Sequence, residues 1–158
     1  SGMTANMAAA YPDLYAAAAL IAGCGQLTCL DVTGLTAYRE MGPRARPVPV
    51  YILWGTDDPT NAYWTGRLQL LQWLGMNDLA DDDLLNLSVP RVPTSLAWVP
   101  ASGSVPPYLV ERYRDSRACG DVDFTSVFGM GHVPDATWPP AFPAIADFLL
   151  AHRLDPRC

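Results

Sequence analysis

The chain has 158 residues, half of them hydrophobic and only 16% charged, so it has ample apolar surface for one packed domain and is no disordered segment. Its net charge of −6, from fourteen Asp and two Glu against ten Arg and no Lys, repels phosphate backbones and anionic lipid and argues against nucleic acid and membranes as partners. No apolar run approaches the ~20 residues that a membrane-spanning helix needs.

In chain order, Met3 to Ala10 is helix-forming and apolar on most sides, as in a helix buried within a larger core. Pro12 ends it. A domain that opens inside a buried helix is expected to be part of something longer. Leu14 to Ala22 is continuously apolar, and the Gly-Cys-Gly stop makes it a short buried strand centred on Ala18 to Ile21. Thr33 to Met41 reads as a short helix, and Gly42 to Pro47 as a basic loop. Val48 to Trp54 is apolar on both faces, the mark of a strand inside a parallel sheet. Thr60 starts a helix running to about Gly75, with Leu68, Leu71, Trp73 and Leu74 as its buried side. Ala80 to Leu87 carries Asp81, Asp82 and Asp83 at its front, as a helix N-terminus favours. Thr94 to Val99 is a strand, Pro106 to Asp115 a turn with a short helix or strand, Asp123 to Phe128 another strand, and Pro143 to Leu154 a helix with Ile145, Phe148, Leu149 and His152 on one side. Strands alternating with helices predict an α/β fold with a mostly parallel sheet and flanking helices, one domain over residues 1–158.

Four cysteines admit three pairings. Cys24 and Cys29 are placed to close a small ring and Cys158 to pin the C terminus to Cys119, so two disulfides in an exported protein are expected. A zinc site needs a tighter ligand cluster than these cysteines form with His132 or His152.

Open parallel sheets hold their working residues in loops past the carboxyl ends of strands. Two such loops carry titratable groups. Asp57 and Asp58 follow the Tyr51–Trp54 strand, and His132 follows the Phe124–Phe128 strand. An Asp and then a His on strand-end loops is the latter part of the order Ser…Asp…His, in which imidazole takes a hydroxyl's proton and the carboxylate fixes the tautomer. Asp57 reads as turn and cap chemistry. Gly129 and Gly131 strip side chains from around His132, which permits close approach. Tyr63 and Trp64 follow the acid loop, with a core role expected ahead of a place at the site's edge. His152 is a cation at a helix C-terminus.

Met3 to Ala19, reading Met-Thr-Ala-Asn-Met-Ala-Ala-Ala-Tyr-Pro-Asp-Leu-Tyr-Ala-Ala-Ala-Ala, resembles the segment after the nucleophile elbow in secreted polyhydroxybutyrate-depolymerase-like and feruloyl- or acetylxylan-esterase-like α/β-hydrolases. Gly55-Thr56-Asp57-Asp58 resembles the family's Gly-Thr-x-Asp acid loop, and Gly129-Met130-Gly131-His132 its Gly-x-Gly-His loop. The resemblance implies the C-terminal half of an α/β-hydrolase fold, Asp58 as the triad acid and His132 as the base. It also implies a serine-type carboxylic ester hydrolase working through an acyl-enzyme, on a polyester or on feruloyl or acetyl esters, without metal or organic cofactor. The chain departs from the pattern in having no Gly-x-Ser-x-Gly. The alignment places the nucleophile about three residues upstream of Ser1, on an N-terminal half of the same fold that is the expected partner, with Ser1 itself just beyond the elbow. Trp138, beyond His132, is the candidate substrate-binding residue, with packing as its other reading. A non-catalytic α/β module that pairs with a partner chain is the alternative to the esterase.

Overall fold

A computed structural model describes residues 1–24, 30–132, 140–155 and 157–158. Among these residues five strands, β1 (Ala18–Ile21), β2 (Val50–Gly55), β3 (Ser95–Val99), β4 (Tyr108–Tyr113) and β5 (Val122–Val127), form one sheet in the order β1-β2-β5-β4-β3. The helices are α1 (Gly2–Ala10), α2 (Leu35–Met41), α3 (Tyr63–Asp82) and α4 (Ala141–Ala151).

β2 and β5 are buried along their whole length; β2 is accordingly apolar without alternation, whereas β5 also buries the polar Asp123, Thr125 and Ser126. One face, with Leu20, Val50, Ile52, Trp54 and Phe124, packs on Ala5, Ala8 and Ala9 of α1, Ala37 and Met41 of α2, and Leu70, Trp73, Leu74 and Met76 of α3. The other face, with Tyr51, Leu53 and Val127, packs on Ala141 and Phe148 of α4. Asn77, fully buried in α3, donates to Val48 O (2.9 Å) and Gly120 O (3.2 Å) and accepts from Val48 N (3.0 Å). A buried amide must find such partners, and here they pin α3 to the segments that lead into β2 and β5.

The class is α/β with helices on both faces, but the sheet is mixed where a mostly parallel one was expected. β1–β2 and β2–β5 are parallel, whereas β5–β4 and β4–β3 are antiparallel. Residues 100–107 and 114–121 are too few for the dozen or more that a parallel crossover requires, so each returns the chain alongside the strand it left.

Of the two readings open for Pro106–Asp115, a short helix or a strand, the structure has the strand, β4 (Tyr108–Tyr113). Other local expectations are corrected. The helix from Thr60 begins at Tyr63 and runs on to Asp82, with Leu70 and Met76 in the core and Leu68 and Leu71 half-buried. Asp81 to Asp83 therefore close a helix instead of opening one. Side-chain acceptors outweigh the unfavourable dipole there. Asp78 accepts from Leu87 N (3.1 Å), Ser88 Oγ (2.9 Å) and Val89 N (3.1 Å), and Asp82 from Leu84 N (3.1 Å), while Asp83 ends the helix in the left-handed region at φ 67°. In α1 the burial is confined to the alanine stripe, and Met3 and Met7 are exposed.

Cys119 and Cys158, one of the pairings the sequence left open, form a disulfide with Cα atoms 5.5 Å apart. Cys24 is also disulfide-bonded. Its expected partner, Cys29, lies outside the described residues. No described helix is long and apolar enough to cross a membrane.

Candidate active site

Because β1, β2 and β5 run parallel, their carboxyl ends share one edge of the sheet. β2 ends at Gly55 and turns through Thr56 and Asp57 to Asp58; β5 ends at Val127 and turns through Gly129 and Met130 to His132. Backbone bonds knit the two turns together: Thr56 N donates to Val127 O (3.0 Å) and Asp57 N to Met130 O (3.1 Å). Thr56 Oγ1 accepts from Gly129 N (2.9 Å) and donates to Asp57 Oδ1 (2.9 Å).

Gly55 is the residue that lets the turns meet. A Cβ there would stand 2.1 Å from Met130 O and 2.3 Å from Gly131 O, a collision with backbone that nothing nearby can relieve. Among the described residues no neighbouring backbone crowds the Cβ position of Gly129 or Gly131. A Cβ at either would meet nothing within 4 Å, and Gly129 matters through its φ of +76°, a conformation costly for residues with a Cβ. The glycine of close approach sits in the acid loop, not in the histidine loop.

Asp58 and His132, 74 residues apart in sequence, meet here. His132 Nδ1 lies 2.9 Å from Asp58 Oδ2 and 3.2 Å from Oδ1. The Asp58 side chain is wholly buried, while that of His132 is 37% exposed. Asp58 Oδ1 also accepts from the backbone N–H groups of Thr60 and Asn61, both at 2.8 Å. Burial alone would raise the Asp58 pKa, but the Asn61 N–H, His132 and the Thr60 N–H outweigh it and hold the carboxyl below its ordinary value. The group is thus an anion with three donors around it, one of them an imidazole.

Asn61 extends the cluster to the third strand. Its Nδ2 donates to Ala22 O (2.7 Å), and its own carbonyl accepts from Trp54 Nε1 (3.0 Å). Ala22, just past β1, is held at φ 46°, a strained conformation of the kind that collects at functional sites. Sequence reasoning gave no role to Asn61 or Ala22. An Asn three residues after a candidate acid, in a turn before a helix, is the signal that was available.

The remaining candidates separate. Asp57 is exposed and bonded to Thr56, consistent with turn chemistry. Ser1 is exposed and packs against Gly23, where a Cβ would meet its Oγ at 2.3 Å; no hydrogen bond joins it to His132. Tyr63 is half-buried, edge-on to Phe124 at 6.2 Å, with its hydroxyl 2.6 Å from Ser126 Oγ. Trp64, for which the core was the expected place, is 59% exposed. His152 caps α4, with Nδ1 2.8 Å from Phe148 O and Nε2 3.9 Å from Asp121. Trp138 lies outside the described residues. No group of three or more potential metal ligands occurs among the described residues.

No protein-family model matches the chain, and no curated protein matches it either.

Proposed function

We propose that residues 1–158 form the C-terminal part of a secreted α/β-hydrolase that cleaves carboxylic esters through an acyl-enzyme. The observation that carries this reading is the 2.9 Å contact between His132 Nδ1 and the buried Asp58 carboxylate at the shared carboxyl edge of parallel strands. Asp58 holds the proton on Nδ1, so Nε2 is the basic nitrogen. Nε2 takes the proton of an attacking hydroxyl, and the acyl carbon bonds to that oxygen. Nε2 then returns the proton to the departing alkoxide; water repeats the sequence to release the acid. The hydroxyl comes from an N-terminal part of the same fold, outside residues 1–158.

Two features support that partner. Among the described residues β1 pairs with β2 alone, leaving one edge open for a further strand. Beside it an apolar groove of about 420 Å³, bordered by Met3, Met7, Ala17, Ala19 and Leu149, leaves side chains to be covered. The Cys119–Cys158 bond supports export to an oxidising compartment. Polyester and feruloyl or acetyl esters are the substrate classes, with Trp138 as the pocket residue.

The test is the chain joined to an upstream segment that contains Gly-x-Ser-x-Gly. It is expected to hydrolyse p-nitrophenyl acetate and to be labelled at that serine by a fluorophosphonate, with both lost in His132→Ala. Labelling and turnover that survive His132→Ala would sink the triad. An assembled protein with neither activity would leave the non-catalytic pairing module.

A further inference from the structure

A second cavity, of about 860 Å³, lies between α4 with the C-terminal segment on one side and the β3–β4 pair on the other. Its lining concentrates positive charge in an acidic protein. Six of the ten Arg (Arg46, Arg112, Arg114, Arg117, Arg153 and Arg157) line it, against four of the sixteen carboxylates (Asp121, Asp123, Asp147 and Asp155). The other surfaces therefore carry all of the net negative charge, and this groove is where an anion is attracted.

The ion pairs show which cations are already neutralised. Arg114 meets Asp123 at 2.5 Å and Asp121 at 3.3 Å, and Arg112 meets Asp123 at 3.8 Å. Arg157 meets Asp155 at 2.5 Å, and Arg117 is paired with Asp81. Arg46 and Arg153 have no carboxylate within 4 Å among the described residues. Arg46 is half-buried and spends one nitrogen on the carbonyls of Pro12 (2.9 Å) and Tyr15 (3.1 Å). Burial pushes the Arg46 pKa down, and the Asp155 and Asp13 carboxylates, acting from beyond contact distance, only partly offset it; an anion bound at the guanidinium would offset it further. The opposing feature is Asp147, exposed on α4 and without a cation within 4 Å among the described residues.

The groove is polarised along its length. Its cationic end lies where β2 and β5 begin, beside Pro49 and Asp121. From there the wall runs along β4 past Val110 to Tyr108, faced by Val99, Ala144 and Phe148. Tyr51 on its floor accepts from Thr125 Oγ1 (2.9 Å), and burial pushes its pKa up to about 12, so it is a neutral donor there. Six residues of strand at ~3.3 Å each put the cationic end roughly 20 Å from Asp58, so this is not the triad edge.

We propose that this groove is a binding site for an organic carboxylate with an apolar body, the carboxylate set between Arg46 and Arg153 and the body along Val110, Val99 and Phe148. Phosphate matches the charge but leaves the apolar wall uncovered.

The experiment is calorimetric titration of the 158-residue chain at low ionic strength with benzoate, with its neutral isostere benzamide, and with inorganic phosphate. Saturable benzoate binding is expected, with benzamide and phosphate each at least about tenfold weaker, the scale of one charge-assisted hydrogen bond or one buried apolar group. Arg153→Gln, an exposed change expected to leave the melting temperature unaltered, weakens benzoate about tenfold. Absence of saturable benzoate binding, equal binding of benzamide, equal binding of phosphate, or an Arg153→Gln protein that binds like the parent would each overturn the proposal.

Discussion

The two halves of the sheet solve different problems with the same polypeptide. In the parallel half, β2 and β5 are buried on both faces, and their carboxyl ends necessarily lie together, so two loops distant in sequence converge on one point. In the antiparallel half, β3 exposes Leu96 and Trp98, and Arg112 of β4 and Arg114 just past it pair with Asp121 and Asp123. No loop convergence is forced there, and the chain builds a long charged groove instead. Strand direction thus decides whether polar side chains converge at an edge or spread along a face.

The largest effect is expected at the edge. In the proposed assembly with an upstream segment, His132→Ala and Asp58→Asn should each lower kcat by at least about 10⁴ with little change in the melting temperature. The Asn carbonyl can still accept from Thr60 and Asn61 but cannot enforce the Nδ1–H tautomer. Equal turnover in Asp58→Asn and the parent would break the assignment. Next comes the tie on the antiparallel side. Cys119→Ser with Cys158→Ser opens a link spanning 39 residues, and loop entropy sets its worth at about 4 kcal/mol. Denaturant unfolding with and without reductant measures it, and unchanged midpoints would refute it.

Gly55→Ala should cost about 1–3 kcal/mol, the range for an overpacked core, and should also separate the acid and histidine turns. A turnover loss exceeding the stability loss would show that the glycine serves the edge as well as the fold; full turnover would show the turns are held apart from it. The smallest effect is a pH dependence in the α4 region. The Asp121 carboxylate, 3.9 Å from Nε2, raises the His152 pKa above 6.5, against a smaller opposing burial. A raised folded value means the stabilisation is complete below about pH 6.5 and is lost as the pH rises through the folded pKa. The melting temperature should fall over that window in the parent and not in His152→Gln. Asp58 works in the opposite sense: its lowered pKa makes its contribution fade only as the pH falls below the ordinary carboxyl range.

Much of the parallel half was legible from residue order. The strand centred on Ala18 to Ile21 and the one through Tyr51 to Trp54 are marked by unbroken apolar runs between Gly and Pro stops, since burial on both faces leaves no alternation to misread. The antiparallel half was less legible. Tyr108–Tyr113 reads Tyr-Leu-Val-Glu-Arg-Tyr, with two adjacent charges and no clean alternation, a pattern that a short helix and a half-exposed strand both accommodate until cross-strand partners are known. The acidic run Asp81–Asp83 misled because a dipole argument treats carboxylates as charges, whereas Asp78 and Asp82 act as hydrogen-bond acceptors for the turn that follows.

For the site, loop placement offered the Asp57–Asp58 loop and His132 as the two halves of a carboxylate–imidazole pair, because each follows a strand and parallel strands end at a common edge; the resemblance to a Gly-Thr-x-Asp loop singled out Asp58. Distance is a different matter. Whether the two loops touch depends on β2 lying directly beside β5 and on the missing Cβ of Gly55, and neither neighbour order nor close approach is written in local residue preference. The arginine groove lay entirely beyond sequence, since its cations come from residues 46, 112–117 and 153–157, which only the return of α4 across the sheet assembles. Local chemistry follows from which side chains the chain carries; shared space follows from how strands are ordered, and that is settled by the packing of the whole.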